Sequence, residues 1–198
     1  MANKPLDQHP PGQSAVGQRR IGQKKKMPNE IIPYLEMCQR EGVSLQRGMN
    51  FELCDNHSVI LMSVRSNAPY ADRFEDDGTT LIYEGHDVPR SSQNPNPKSV
   101  DQPESTPAGS LTQNGLFHHA AQLYKSRRRE PERVRVYEKI KQGIWSYNGI
   151  FHLVDAWQEP SEGRQVFKFK LVAVEGEEDF SVPIPSQPKP RQWSTCYS

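Results

Sequence analysis

Alternating hydrophobic and polar residues dominate the second half of the chain. Phe167, Phe169 and Leu171 alternate with Lys168 and Lys170, and this period of two predicts a β-strand with one face in a core and one basic, solvated face. The strand extends over 166–174, and the same period predicts strands at 133–141 and 150–157. Apolar and β-branched runs between turn residues predict further strands at 48–53, 58–64 and 79–83.

Two segments have helical spacing instead. Ile31, Tyr34, Leu35 and Cys38 recur at i, i+3, i+4 and i+7, which predicts a short amphipathic helix from Asn29 to near Gly42. Residues 111–124 predict a second helix, with Thr112 as its N-cap and with Leu116, Ala120, Leu123 and Tyr124 on one face. Many short strands and few helices predict an α+β fold, a curved sheet or open β-barrel with two or three flanking helices.

Tyr147-Asn148-Gly149 interrupts this strand-rich half. The triplet predicts a turn, because Asn-Gly favours positive φ angles.

The composition limits how much of the chain enters a core. Only 34% of the 198 residues are hydrophobic and 17 are proline, which predicts extended unpacked segments. We expect a basic, disordered tail at 1–28, one domain at 29–182 with a long loop at 88–110, and a Pro-rich tail at 183–198. The tail clusters Arg19-Arg20 and Lys24–Lys26 are suited to lying along DNA phosphates, and an ordinary solubilising tail has the same composition.

Several protein classes are disfavoured. Cys38, Cys54 and Cys196 lie far apart, which argues against a zinc ribbon or a disulfide framework and fits a reducing compartment. No apolar run of about 18 residues is present, so we expect a soluble cytoplasmic protein.

The net charge of +1 conceals an uneven distribution. Basic residues concentrate in 1–27 and 125–141, and acidic residues in 72–87 and 175–179. This asymmetry predicts a phosphate-binding surface beside an acidic pocket, and solvated charge runs on loops are the simpler alternative.

The most informative stretch runs from Tyr70 to Asp87. Two aromatic residues, Tyr70 and Tyr83, flank an acidic segment that begins at Asp72. Two rings and one carboxylate are suited to binding a planar heterocycle, because the rings cover its faces and the carboxylate accepts a hydrogen bond from an exocyclic amine such as N4 of cytosine. A plain hairpin with a solvated acidic turn is the alternative.

This stretch resembles the core of the SRA (SET and RING associated, or YDG) domain, whose signature has Gly-Tyr-Glu-Asp-Asp, a short acidic turn and Tyr-Thr-Gly. The corresponding residues here are Tyr70-Ala71-Asp72 and Ile82-Tyr83-Glu84-Gly85. Further matches follow in the family's order at Asp101-Gln102, Leu111-Thr112 with Asn114, Val134-Arg135-Val136, Tyr147-Asn148-Gly149, Trp157, Gly163 and Val166–Leu171.

The resemblance implies an SRA-like, PUA-like barrel that recognises 5-methylcytosine, or a related base such as 5-hydroxymethylcytosine, by flipping it out of double-stranded DNA. It implies that Tyr70 and Tyr83 stack on the base and that Asp72 reads its amine, in a pocket completed by Ala68, Pro69, Glu84 and Gly85. The family's carboxylate lies one position further from the tyrosine than Asp72 does. Arg73 occupies that position here, and Asp76 and Asp77 are alternative carboxylates.

The resemblance also implies DNA contacts outside the pocket. Related proteins insert the loop that corresponds to 88–110 into the duplex, and a disordered loop is the alternative here. The predicted DNA-contacting residues are Arg90, Asn94, Asn96 and Lys98 in this loop and Arg127, Arg128, Arg129 and Arg135 in the basic segment.

No complete active site can be assembled from the sequence. Residues 184–196 resemble the start of the HNH nuclease segment in bacterial SRA-HNH modification-dependent restriction proteins, but no His-Asn-His follows. We therefore expect no catalytic activity, metal or cofactor in this chain alone. The alternative functions are the recognition half of such an endonuclease, whose nuclease part is missing or supplied in trans, and a domain used only for protein contacts.

Overall fold

The computed structural model describes residues 30–54 and 57–175, except for the side chains of Cys54 and Asp77. The tails predicted at 1–28 and 183–198 lie outside the described residues. The strands are β1 (Glu30–Pro33), β2 (Met49–Cys54), β3 (His57–Met62), β4 (Arg73–Glu75), β5 (Thr80–Glu84), β6 (Glu132–Lys141), β7 (Ile144–Ser161) and β8 (Arg164–Ala173). The α-helices are α1 (Tyr34–Arg40) and α2 (Gln113–Lys125), and short 3-10 turns occur at Asp76–Gly78 and Pro97–Ser99.

All eight strands form one open sheet in the order β2-β3-β6-β7-β8-β5-β4, with β1 added to β7. Every neighbouring pair is antiparallel except β3 and β6, which run parallel and align Ser58 with Val134. The long strand β7 pairs with β6 along its first part and with β8 along its second, so it belongs to both halves of the sheet. The predicted α+β fold with a curved, open sheet is confirmed.

The main core lies between the sheet and α2. Phe117 of α2 contacts Phe51 and Phe169, with ring centroids 5.3 and 5.9 Å away. The helix begins where predicted, because the Thr112 hydroxyl accepts a hydrogen bond from the Gly115 amide at 3.2 Å. Its buried face consists of Phe117, Ala120 and Ala121 rather than the predicted Leu116, Leu123 and Tyr124.

The first predicted helix is partly a strand. Residues 30–33 form β1 and pair with β7, Ile31 opposite Ser146. Pro33 lacks an amide hydrogen and is the N-cap of α1, so the helix begins only at Tyr34. Ile31 and Leu35 are therefore exposed instead of sharing a buried helical face.

The predicted turn at Tyr147-Asn148-Gly149 is wrong, because these residues continue β7. Gly149 has φ of 98° and pairs with Val136, next to a shift in the register between β6 and β7. A residue that tolerates positive φ is placed here at a β-bulge, which bends the strand without ending it.

Two residues of the predicted solvated strand faces are buried. Arg135 and Lys168 are each 3% exposed. Each pairs with a carboxylate inside the protein, Arg135 with Glu41 at 3.1 Å and Lys168 with Glu84 at 2.8 Å. Across 30–54 and 57–175, no helix has the length and apolar character needed to cross a membrane.

Candidate functional site

A cavity of about 540 Å³ lies where β3 and β5 end. Its walls come from the loop before β2, the end of β3, the segment between β3 and β4, and the tip of the β6–β7 hairpin. Five predicted pocket residues line it: Ala68, Pro69, Tyr70, Asp72 and Tyr83. The curvature of the sheet thus places residues from separate strands around one space.

Asp72 joins the ends of β3 and β5. Its Oδ2 accepts a hydrogen bond from the Ser63 amide at 3.2 Å, and its Oδ1 accepts one from the Glu84 amide at 3.1 Å. Burial raises the pKa of Asp72 to about 6, although both amide hydrogen bonds act in the opposite direction. Within the part of the chain that the structure describes, Asp72 forms no ion pair, so its remaining acceptor capacity is available to a ligand.

His86 is a cavity residue that the sequence analysis did not identify. Its ring stacks on Tyr70, with centroids 5.3 Å apart and planes 17° apart. Burial lowers the pKa of His86 to about 4, so the imidazole is neutral at neutral pH. A histidine three residues after the second aromatic of the motif was the available signal, and the family pattern gave it no role.

Tyr83 contributes differently from Tyr70. Tyr83 is 1% exposed and packs in the main core, whereas Tyr70 is half-buried. The Tyr83 hydroxyl lies 3.0 Å from Nε2 of His86. The ring that is stacked on Tyr70 is therefore His86 and not Tyr83.

The predicted pocket residues Glu84 and Gly85 lie outside the cavity lining. Glu84 is buried, pairs with Lys168 at 2.8 Å and with Arg164 at 3.6 Å, and accepts a hydrogen bond from the Ala71 amide. A Cβ atom at Gly85 would lie 2.7 Å from side-chain oxygens of both Gln102 and Asn114. Glycine is needed here for close packing.

Gln102 and Asn114 hold the backbone that carries His86. Gln102 donates from Nε2 to the Gly85 carbonyl at 2.7 Å and accepts from the Phe167 amide at 2.8 Å. Asn114 accepts from the His86 amide and donates to the His86 carbonyl, both at 2.8 Å. These residues matched the family motif. They do not line the cavity, but they position its His86 by holding the backbone.

The loop at 88–110 does not present all its predicted DNA contacts to solvent. Lys98 points toward the cavity wall, where its Nζ lies 3.1 Å from Asp87 Oδ2 and 4.3 Å from the Tyr70 ring centroid. Asn96 caps the 3-10 turn by accepting from the Lys98 amide. Arg90 is exposed and Asn94 is half-buried.

The predicted basic segment divides into exposed and paired residues. Arg127 and Arg128 are exposed, whereas Arg129 forms ion pairs with Glu52 at 2.7 Å and Glu132 at 2.9 Å. The prediction that Arg135 contacts DNA is wrong, because its guanidinium is buried against Glu41.

The alternative residues for reading the base lie away from the cavity. Arg73 pairs with Glu75 at 2.9 Å, Asp76 is exposed in its 3-10 turn, and neither lines the cavity. The Asp77 side chain lies outside the described residues. His118 pairs with Glu104 at 2.9 Å, and in the described ranges no group of three His, Cys, Asp or Glu residues has metal-binding geometry.

The chain matches a known domain family and is similar to solved structures. The SAD/SRA domain family matches residues 35–177. The SRA domain of SUVH5 in complex with hemimethylated CG DNA is similar in structure, with 23% identity, a TM-score of 0.51 and coverage of 79% of this chain and 93% of that one. SUVH5 SRA bound to fully hydroxymethylated CG DNA has 22% identity, a TM-score of 0.50 and coverage of 78% and 93%.

These structural similarities show a shared fold. Among curated proteins, none matches the chain significantly.

Proposed function

The chain belongs to the SAD/SRA family, and we propose that it recognises 5-methylcytosine, or a related modified cytosine, in double-stranded DNA by flipping the base into the cavity beside Asp72. The structurally similar SUVH5 domains were solved with hemimethylated and hydroxymethylated CG DNA, which supports this class of ligand. A flipped base exposes its hydrogen-bonding edge and both faces, at a cost of a few kcal/mol.

The observation that carries the proposal is the environment of Asp72. Each carboxylate oxygen has two lone pairs, and one backbone amide bonds to each. The unused lone pairs at the cavity are suited to accept the N4 amine of cytosine. Thymine has a carbonyl oxygen at the same position, and two acceptors repel each other.

Tyr70 and His86 supply the faces for stacking. A base between two rings needs about 7 Å between their planes, which is two carbon contact distances. The ring centroids now lie only 5.3 Å apart, which leaves no room for a base between them. Tyr70 therefore moves outward when the base enters, and His86, which is held by Asn114, forms the fixed wall. Stacking of the base on one aromatic ring contributes about 1–3 kcal/mol.

The cellular setting is a further part of the proposal. A bacterial, cytoplasmic, nucleoid-associated protein with a nuclease partner in trans fits the resemblance of residues 184–196 to the start of an HNH segment. That segment lies outside the described residues, so its support comes from the sequence alone.

The test compares duplexes that differ at one position: 5-methylcytosine·G, 5-hydroxymethylcytosine·G, cytosine·G and a thymine·G mismatch, at one salt concentration. Thymine and 5-methylcytosine share the methyl group and differ at the amine, and the mismatched thymine is easier to flip. We expect the wild-type protein to prefer 5-methylcytosine over thymine. Asp72→Asn should reduce this preference at least about tenfold, because a hydrogen bond to a charged group contributes about 1.5–3 kcal/mol.

The control is Asp76→Asn, which makes the same chemical change at an exposed carboxylate outside the cavity and should leave every affinity unchanged. Equal affinity of the wild-type protein for all four duplexes would contradict the proposed function. A preference that survives Asp72→Asn would assign the reading of the amine to another residue.

A further inference from the structure

Part of the cavity lining is basic. Arg47, from the loop before β2, and Lys139 and Trp145, from the tip of the β6–β7 hairpin, line the cavity. We call these three residues the basic rim. None of them was identified from the sequence.

The loop that carries Arg47 is held in place at several points. The Leu45 carbonyl accepts a hydrogen bond from the Tyr34 hydroxyl at 2.9 Å, and the Gly48 carbonyl accepts one from the Leu61 amide at 2.8 Å. Asn50 donates from Nδ2 to the carbonyl of Arg47 itself at 2.9 Å. The exposed Arg47 side chain therefore extends from a fixed backbone.

Lys139 and Trp145 are held as a pair by the hairpin. They are directly opposite each other in the register of β6 and β7, which places their side chains on the same face of the sheet. The Lys139 ammonium lies 6.0 Å from the centroid of the Trp145 ring. Trp145 also aligns with Ile32 of β1, so strands on both sides fix its position.

The two rim cations differ from five other basic residues of the described chain. Lys98, Arg129, Arg135, Arg164 and Lys168 each form ion pairs with carboxylates. Arg47 and Lys139 form no ion pair with any residue in 30–54 or 57–175. Unpaired cations at the mouth of a cavity attract anions, and their charge is not cancelled locally.

We propose that the basic rim binds the phosphates next to the flipped nucleotide, which deepens the proposed function and rests on it. When a base enters the cavity, its sugar and the adjoining phosphates must come to the cavity mouth. Arg47 can bind a phosphate through two parallel N–H donors, and Lys139 binds as a compact charge. The rim thus holds the backbone, while Asp72 and Tyr70 hold the base.

The experiment measures how affinity for the 5-methylcytosine duplex changes with salt concentration. Each neutralised phosphate contributes about 0.9 to the slope of log affinity against log salt. The double variant Arg47→Ala/Lys139→Ala should therefore reduce the magnitude of the slope by about 1.8. It should largely keep the preference for 5-methylcytosine over the thymine mismatch. Asp72→Asn should do the reverse, losing the preference and keeping the slope.

A matched variant serves as the control. Arg47→Lys/Lys139→Arg keeps both charges and should keep the wild-type slope. Urea unfolding of each variant verifies that the fold is retained.

An unchanged slope in Arg47→Ala/Lys139→Ala would overturn the rim proposal. An equal reduction of the slope in Arg47→Lys/Lys139→Arg, which keeps both charges, would overturn it as well. Either result leaves the base preference of the wild-type protein intact. Absence of that preference would instead overturn the proposed function, so the two failures are distinguishable.

Discussion

Asp72 is a half-buried carboxylate and Glu41 is a fully buried one, and the protein surrounds them differently. The donors that contact Glu41 include His57 at 2.9 Å, the Tyr137 hydroxyl at 2.5 Å and Arg135 at 3.1 Å. Burial raises its pKa, but these donors outweigh that effect and hold the pKa of Glu41 below its usual value. At Asp72 burial prevails over two backbone amides and raises the pKa to about 6.

The difference indicates that Glu41 stabilises the fold, whereas Asp72 is available to bind a ligand. The acceptor capacity of Glu41 is used by residues from β3 and β6, so this carboxylate ties α1 to the sheet. Asp72 is half-buried, and among residues 30–54 and 57–175 it forms no ion pair. A charge that is largely removed from solvent and has unfilled acceptor capacity is costly unless a ligand satisfies it, and such sites are functional candidates.

The largest expected effect comes from removing the charge of Glu41. Glu41→Gln should lower the free energy of unfolding by about 3 kcal/mol, because the buried Arg135 guanidinium loses its negative partner. Chemical denaturation with urea measures this change. Asp72→Asn, measured alongside, should cost much less, and equal losses in the two variants would contradict the assigned division of roles.

A second prediction tests whether the Tyr70 ring stacks on the flipped base. Tyr70→Leu should weaken binding of the 5-methylcytosine duplex about 5- to 100-fold, because base stacking on an aromatic contributes about 1–3 kcal/mol. Tyr70→Phe keeps the ring and should bind within about twofold of the wild-type protein. Titrations with fluorescent duplexes measure both variants, and a similar loss with Phe and Leu would argue against stacking.

The third prediction concerns pH. The ionised form of Asp72 accepts the amine. The affinity for the 5-methylcytosine duplex should therefore reach its full value well above pH 6 and should fall as Asp72 becomes protonated below pH 6. At pH 5 we expect about a tenfold loss relative to pH 7.5, as one proton is taken up with a pKa near 6. Since the pKa of His86 is about 4, the imidazole stays neutral over this range. An equally steep fall in Asp72→Asn would assign the titration to another group.

The smallest effect should be the discrimination of the methyl group itself. Asp72 reads an amine that cytosine and 5-methylcytosine share, so only the shape of the cavity distinguishes them. Burial of one methyl group contributes roughly 0.8 kcal/mol, which corresponds to about fourfold in affinity. Competition between methylated and unmethylated duplexes measures this ratio, and a ratio above about a hundredfold would require a specific contact with the methyl group.

The sequence predicted the elements whose signals are local. The alternation in β8 and the cap at Thr112 each depend on neighbouring residues, and the structure confirms both. Ile31 was assigned to a helix because its pairing partner, Ser146, is remote in the sequence. The burial of Arg135 and Lys168 likewise depends on remote partners, Glu41 and Glu84, that alternation cannot reveal.

The candidate site was predictable to the extent that a family motif marks it. The motif led to Tyr70, Asp72 and Tyr83, which all line the cavity. It gave no role to His86, although His86 lies in the same stretch of sequence, or to Arg47, which joins the cavity only through the folding of a separate loop. The direct roles of the motif residues in base binding stay predictions for the experiments above.

The parallel pairing of β3 with β6 has a consequence for how fast the protein folds. Ser58 must meet Val134, and the intervening chain includes the long loop and α2. Closing this large loop costs conformational entropy before the stabilising contacts between β3 and β6 have formed. Proteins dominated by such non-local contacts fold slowly. Because Ser63 follows β3 directly and lines the cavity, the binding site cannot be complete before this pairing forms.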